Sequence, residues 1–147
     1  MAGEYDIDFR KYPEKYRYSP DEKGVFKVEP YKSELLPLWR YRDEKAAIQS
    51  SRAICQKYEA YRNDRDFVGM DMARKYLQMG FTRAMRYAKY PGGRKYDDDG
   101  EIREAKTWAD PQKRKAAVAF RKAWKRVRED QEYQALKELH RQRTAQD

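Results

Sequence analysis

The sequence predicts a mainly α-helical fold: about four helices around an aromatic and alanine-rich core, with one short strand or hairpin and an extended N-terminal arm. Three observations carry that prediction. Apolar side chains recur at three- and four-residue spacing over three long segments, the period of an amphipathic helix. Aspartates stand before those segments, where a side-chain oxygen can accept from unsatisfied first-turn N–H groups. The composition favours helix over strand, with 16 Ala and 5 Met against 4 Ile and 5 Val. Leu, Ile, Val and Phe together number only 20 of 147, so burial must lean on the 13 Tyr and 3 Trp, each of which covers a large area.

In chain order, residues 1–23 are polar and tyrosine-rich, with Pro13 and Pro20 breaking any helix; they read as an arm lying across the body. Gly24–Val28 alternates like a short strand ended by Pro30. The segment from Pro30 to Tyr41 is apolar but holds two prolines, which predicts a packed connector. Asp43 caps a helix to about Arg62, whose inner face is Ala47, Ser51, Ile54, Tyr58 and Tyr61. A longer helix spans about Asp66 to Lys89 and gathers Met70, Ala73, Leu77, Gly80, Phe81, Ala84, Tyr87 and Ala88 on one side. Glycine inside a helix costs about 1 kcal/mol relative to alanine, so Gly80 predicts close approach of another helix. Pro91-Gly92-Gly93 stops this helix, and Asp98-Asp99-Gly100 suggests the turn of a small hairpin within 94–108. Asp110-Pro111 then starts a third long helix, with Ala116, Ala117, Phe120, Ala123, Trp124 and Val127 inward. Asp130 caps a final short helix with Tyr133, Leu136, Leu139 and His140 inward. The length suits one domain over 1–147: the arm, a folded body over 24–140 and a frayed tail over 141–147. Ile54, Tyr58, Leu77, Phe81, Phe120 and Trp124 are expected to share one core.

Charge is the strongest functional signal. The net charge is +9, divided as +3 over residues 1–110, +8 over 111–128 and −2 over 129–147. Lys113, Arg114, Lys115, Arg121, Lys122, Lys125, Arg126 and Arg128 lie in the third long helix with no acid among them. Solvated helix faces usually mix signs, because Glu–Lys pairs one turn apart help the helix. An unmixed run predicts a polyanion partner, since each phosphate neutralised releases condensed counterions. The expectation is a nucleic-acid-binding protein of unspecified nucleic-acid type, with a secondary basic surface of Lys75, Arg86, Lys89, Arg94 and Lys95. Eleven of the 13 tyrosines neighbour a Lys or Arg; those in arm or loop sequence, Tyr12, Tyr16, Tyr18 and Tyr96, are candidates for base stacking. The alternative from another class is an interaction module whose basic face docks an acidic protein. A third reading is a small enzyme with Glu34, Asp71, Arg74 and Arg83 around a pocket, although no nucleophile–base spacing supports it.

Much other chemistry is disfavoured. One cysteine (Cys55) excludes an intramolecular disulfide and multi-cysteine zinc sites, and one histidine (His140) excludes histidine-based triads. Asp97-Asp98-Asp99-Gly100, placed on a calcium loop with Gly100 sixth, puts Lys95 and Lys106 at the outer ligand positions, so a turn is the reading and no metal is expected. Pro91-Gly92-Gly93-Arg94-Lys95 lacks the spacing and preceding strand of a phosphate-cradling loop. No cofactor is expected. The absence of a signal peptide or long apolar run predicts a cytoplasmic protein with no membrane partner.

Glu29-Pro30-Tyr31-Lys32-Ser33-Glu34 and the stretch Phe67 to Ala84 are distinctive. They resemble a small family of uncharacterised proteins, a domain of unknown function found in bacteria and large bacterial viruses. The likeness covers about Asp8 to His140. It implies a cytoplasmic, standalone single-domain protein and carries no activity or catalytic residue to transfer.

Overall fold

The computed structural model describes residues 3–105 and 109–145. Five α-helices occur among them: α1 (Tyr31–Leu35), α2 (Glu44–Asn63), α3 (Phe67–Lys89), α4 (Pro111–Glu129) and α5 (Gln131–Thr144). The described residues form no sheet. Aspartates start the four long helices as N-caps: Asp43, Asp66, Asp110 and Asp130 accept from the N–H groups of Ala46, Gly69, Lys113 and Glu132. Pro111 occupies the first turn of α4, where its missing N–H costs no hydrogen bond.

Helices α2, α3 and α4 pack against one another. The chain turns between α2 and α3 at Arg65, a left-handed residue with φ of 53°, so these two run antiparallel. Helix α4 runs alongside α2 in the same direction: the Glu44 N–H donates to Gln112 at one end, and Tyr58 and Arg62 reach Asp130 at the other. It runs against α3, with the Asp110 N–H donating to the Ala88 carbonyl. Gly80 shows why the two approach closely. A Cβ there would lie 2.4 Å from a ring carbon of Phe120, so the Phe120 ring occupies the space any side chain would need. Gly69 meets the Tyr61 ring in the same way, at 2.5 Å. Ile54, Tyr58, Leu77 and Phe120 are buried in this body, with Phe81 and Trp124 packed at its margin, their ring centroids 5.8 Å apart.

The N-terminal segment departs most from expectation. Gly24–Val28 is not a strand. Gly24 has φ of +92°, and its carbonyl accepts from the N–H groups of both Lys27 and Val28, which closes a turn and buries Val25 and Val28 together. The Tyr76 hydroxyl donates to the Val25 carbonyl and fixes that turn to α3. Residues 3–41 form a layer over α3, so the expected arm does lie across the body, and it is packed into the core with Phe9, Tyr16, Tyr31 and Leu35 buried. Arg10 secures the layer through a two-point contact with Glu34, at 2.9 and 2.8 Å. With this layer on one side and α2 and α4 on the others, every residue from Phe67 to Leu77 is buried, so α3 is enclosed all round over its first three turns.

Two smaller differences follow from packing. The expected hairpin reduces to one antiparallel bridge between Tyr96 and Ile102, with Gly100 (φ +81°) in its turn. Helix α5 continues through Thr144, which is buried and whose carbonyl accepts from Arg17, where a frayed end was expected. Leu139, expected inward, is 43% exposed, while Tyr133, Leu136 and His140 face in.

Candidate functional site

On α4 the predicted cations separate cleanly from the core side. Arg114, Lys115, Arg121, Lys122, Lys125, Arg126 and Arg128 are exposed, and Ala116, Ala117, Phe120, Ala123 and Val127 are buried. At 100° per residue the exposed set falls into two stripes. Lys115, Lys122 and Arg126 form one, on the α2 side. Arg114, Arg121, Lys125 and Arg128 form the other, with Arg114, Arg121 and Arg128 about 10.5 Å apart in succession along the axis. Lys125 pairs with Glu129 at 4.0 Å. Arg128 lies over the Trp124 ring, 4.2 Å from its centroid, which leaves the edge of the guanidinium available to acceptors.

Lys113 differs from the others. It is half-buried, its Nζ donates to the Tyr41 carbonyl at 3.1 Å, and it sits over the Tyr41 and Tyr87 rings. Desolvation lowers its pKa, against the pull of Asp110 and Asp43. It fastens α4 to the connector before α2 rather than extending the outer charge.

Between α2 and α4 runs an open groove of about 480 Å³. Lys115, Lys122 and Arg126 line one wall, Arg52 and Gln56 the other, with Glu44 and Glu59 also on the α2 wall. Arg52 was not among the predicted site residues. Its one-turn spacing from Gln56 on the outer face of α2 was the available signal, and a lone surface arginine carries little weight without α4 opposite.

The secondary basic surface is only partly assembled. Arg86 and Lys89 are exposed in the last turn of α3, and Arg94 is exposed just beyond it. Arg86 donates to the Gly93 carbonyl, Arg94 pairs with Asp98, and half-buried Lys95 lies over the Tyr96 ring. Lys75 does not belong with them, being 1% exposed. Its Nζ donates to Ser19 Oγ at 3.0 Å and to the Lys23 carbonyl at 2.7 Å, under the N-terminal layer. Desolvation lowers its pKa to about 8, with Asp71 opposing.

The stacking candidates divide the same way. Tyr12 and Tyr96 are exposed. Tyr16 is buried and donates to Asp71, and Tyr18 is half-buried beneath Arg74, Lys137 and Arg141, so neither is open to a strand at the outer surface.

The charged residues considered for an enzyme do not converge. Asp71 and Arg74 are buried side by side, with Asp71 accepting from Tyr16, Tyr133 and Arg74. Arg74 also reaches the carbonyls of Ser19, Pro20 and Asp21 and the side chain of Gln78. Burial works to lower the Arg74 pKa, but Asp71 and Tyr133 outweigh it and hold the guanidinium charged. Burial, with Asp71 adding to it, pushes the Tyr16 and Tyr133 hydroxyls up, so both stay protonated as donors. The result is a saturated strut between α3, α5 and the N-terminal layer. Glu34 sits apart with Arg10 and Tyr61, and Arg83 is exposed on α3. Asp97 accepts from the N–H groups of Asp99 and Glu101, which makes the acidic run a turn. No group of three potential metal ligands occurs among the described residues. Among them, too, no helix is long and apolar enough to cross a membrane.

The fold and its exposed basic helix describe a helical protein with a cationic outer face. The chain belongs to the family described as a domain of unknown function (DUF4385), whose pattern it matches over residues 2–143. No curated protein and no solved structure matches it.

Proposed function

We propose that this protein binds nucleic acid through phosphate contacts along α4, with little readout of bases and no chemistry of its own, in the cytoplasm of a bacterial cell. The observation that carries the reading is the pair of cationic stripes on α4. Their like charges repel one another, with no acid within residues 111–128, an arrangement that helix stability alone disfavours and a polyanion rewards. Arg52 across the groove adds a cation to the α2-side stripe, while Glu44 and Glu59 disfavour phosphate at that wall. A strand therefore follows the outer face of α4, where Lys122, Lys125 and Arg126 lie side by side between the two stripes. Arg86, Lys89 and Arg94 extend the field near the start of α4, where Asp110 meets Ala88.

Titration against duplex DNA, single-stranded DNA and RNA at several salt concentrations tests this. Log affinity against log salt should fall with a slope of about −3 to −5, for roughly four or five neutralised phosphates. Reversal of Lys122, Lys125 and Arg126 to Glu should nearly abolish binding and keep stability within about 1 kcal/mol, because all three are exposed. Undiminished binding by the triple variant, or no binding by either protein at low salt, would overturn the reading. Retention of an acidic protein by the wild type, in the latter case, would favour the docking alternative.

A further inference from the structure

A second region has a different architecture. Beneath the N-terminal layer lies a cavity of about 230 Å³, lined by segments 4–28 and by Lys75 of α3. Tyr5, Phe9, Tyr16 and Tyr18 are among its lining residues, as are the exposed Lys15, Lys23 and Glu4. Lys75 is a buried ammonium without a carboxylate in ion-pair contact among the described residues. The nearest buried acid, Asp71, is committed to Arg74 at 2.8 Å and to two tyrosine hydroxyls. The interior thus holds two cations against one anion. An ammonium has three N–H donors, and two are used: one on Ser19 Oγ, whose own proton goes to Asp21, and one on the Lys23 carbonyl. Among the described residues the third has no oxygen or nitrogen acceptor, and only the Tyr16 ring, 5.2 Å from Nζ, faces it.

We propose that this cavity binds a small organic anion carrying a planar ring, an aromatic carboxylate or phosphate monoester, with the acidic group on Lys75 Nζ and the ring against the tyrosine and phenylalanine walls. Buried charges are ordinarily paired, and an anion supplies both the missing counter-charge and the third acceptor; a water supplies only the acceptor. The volume lies below the roughly 300–1,000 Å³ of drug-sized clefts, so the ligand is small, of about ten non-hydrogen atoms. Lys15 and Lys23 draw the anion in, and the site is independent of α4. With its pKa near 8, Lys75 is charged at pH 7, and an anion raises that value further. The charged groups around Nζ are Asp71 and Arg74 on α3 and Asp21 and Lys23 in the layer.

Calorimetric titration with benzoate, phenyl phosphate and the neutral benzyl alcohol tests the site and separates the two head groups. At least one anion should bind saturably, with one site per chain and millimolar or better affinity. Benzyl alcohol should be at least about tenfold weaker, the factor that 1.4 kcal/mol represents. At pH 8, binding should take up a proton, seen as a dependence of the measured heat on buffer ionisation. Lys75→Met should reduce affinity at least about tenfold. Because that substitution alters a buried position, the double variant Lys15→Ala/Lys23→Ala, confined to exposed side chains, should weaken either anion several-fold with the fold intact. The α4 triple reversal should leave probe binding unchanged. The proposal is overturned if neither anion binds, if benzyl alcohol binds as tightly as benzoate, or if removing either Lys75 or the Lys15 and Lys23 pair leaves affinity unaltered.

Discussion

Helices α3 and α4 lie against each other and use charge in opposite ways. In α3 the charged residues Asp71, Arg74 and Lys75 are turned inward and all but removed from solvent, at 0%, 3% and 1% exposure. In α4 seven cations are turned outward. The difference comes from what covers each helix. The N-terminal layer covers α3 and brings carbonyls, hydroxyls and aromatic rings to its polar side chains. Among the described residues nothing comparable lies over the outer face of α4. Charge content is therefore no guide to surface charge here; the supply of long-range hydrogen-bond partners decides it.

The largest expected effect comes from breaking the inward arrangement. Asp71→Ala removes the counter-charge of Arg74 and the acceptor of both Tyr16 and Tyr133, leaving buried donors and cations unpaired. Loss of one partner from a buried pair costs about 3–5 kcal/mol, enough to unfold a marginal domain. Denaturant unfolding measures it, and a variant within 1 kcal/mol of wild type would show that the strut contributes little. A smaller effect tests the contact between the two helices. Gly80→Ala places a methyl 2.4 Å from the Phe120 ring, and overpacking of that kind costs about 1–3 kcal/mol, more than the gain in helix propensity of about 1 kcal/mol. A net stabilisation would mean that Phe120 moves aside freely.

What the sequence made legible follows the same division. The four long helices were readable because their starts are local: Asp43, Asp66, Asp110 with Pro111, and Asp130 all act as caps. Gly80 was readable as a contact because its local cost called for a distant reason. The exposed stripes of α4 were readable because its apolar face repeats cleanly. The layer over residues 3–41 was not. Its residues have no period, and Tyr16 is buried by a hydrogen bond to a residue 55 positions away. Lys75 illustrates the same limit: on a helical wheel it falls on the polar side of α3, and only the layer makes that side interior. The anion cavity lies where sequence periodicity is silent, whereas the basic helix lies where it is strongest.

The smallest expected effect sharpens the contrast by titration. The Lys75 pKa falls from an ordinary 10.5 to about 8 in the fold, chiefly through desolvation. Between those values the unfolded chain binds the proton and the folded chain has released it, so stability rises as pH climbs from about 8 toward 10.5. From pH 8 to 9 the gain is about 1 kcal/mol. Two kinds of side chain act the other way. Burial raises the Cys55 thiol above 9, so its contribution is lost as pH rises through that range, and the comparison belongs in a Cys55→Ala background. Buried Tyr16, Tyr31, Tyr58, Tyr61, Tyr76 and Tyr133 are all raised above 10, chiefly by desolvation, and oppose the gain beyond that pH. Thermal melts at pH 8 and 9 should therefore show a modest rise in Tm for the Cys55→Ala protein and a clearly smaller rise once Lys75→Met is added, with Lys113, also lowered by desolvation, as the remaining contributor. Lys122→Ala in the same background should keep the rise, because its side chain is exposed on α4 and lies outside the buried cluster. An equal response from the Lys75 and Lys122 variants would place the ammonium in water and erase the distinction between the two helices.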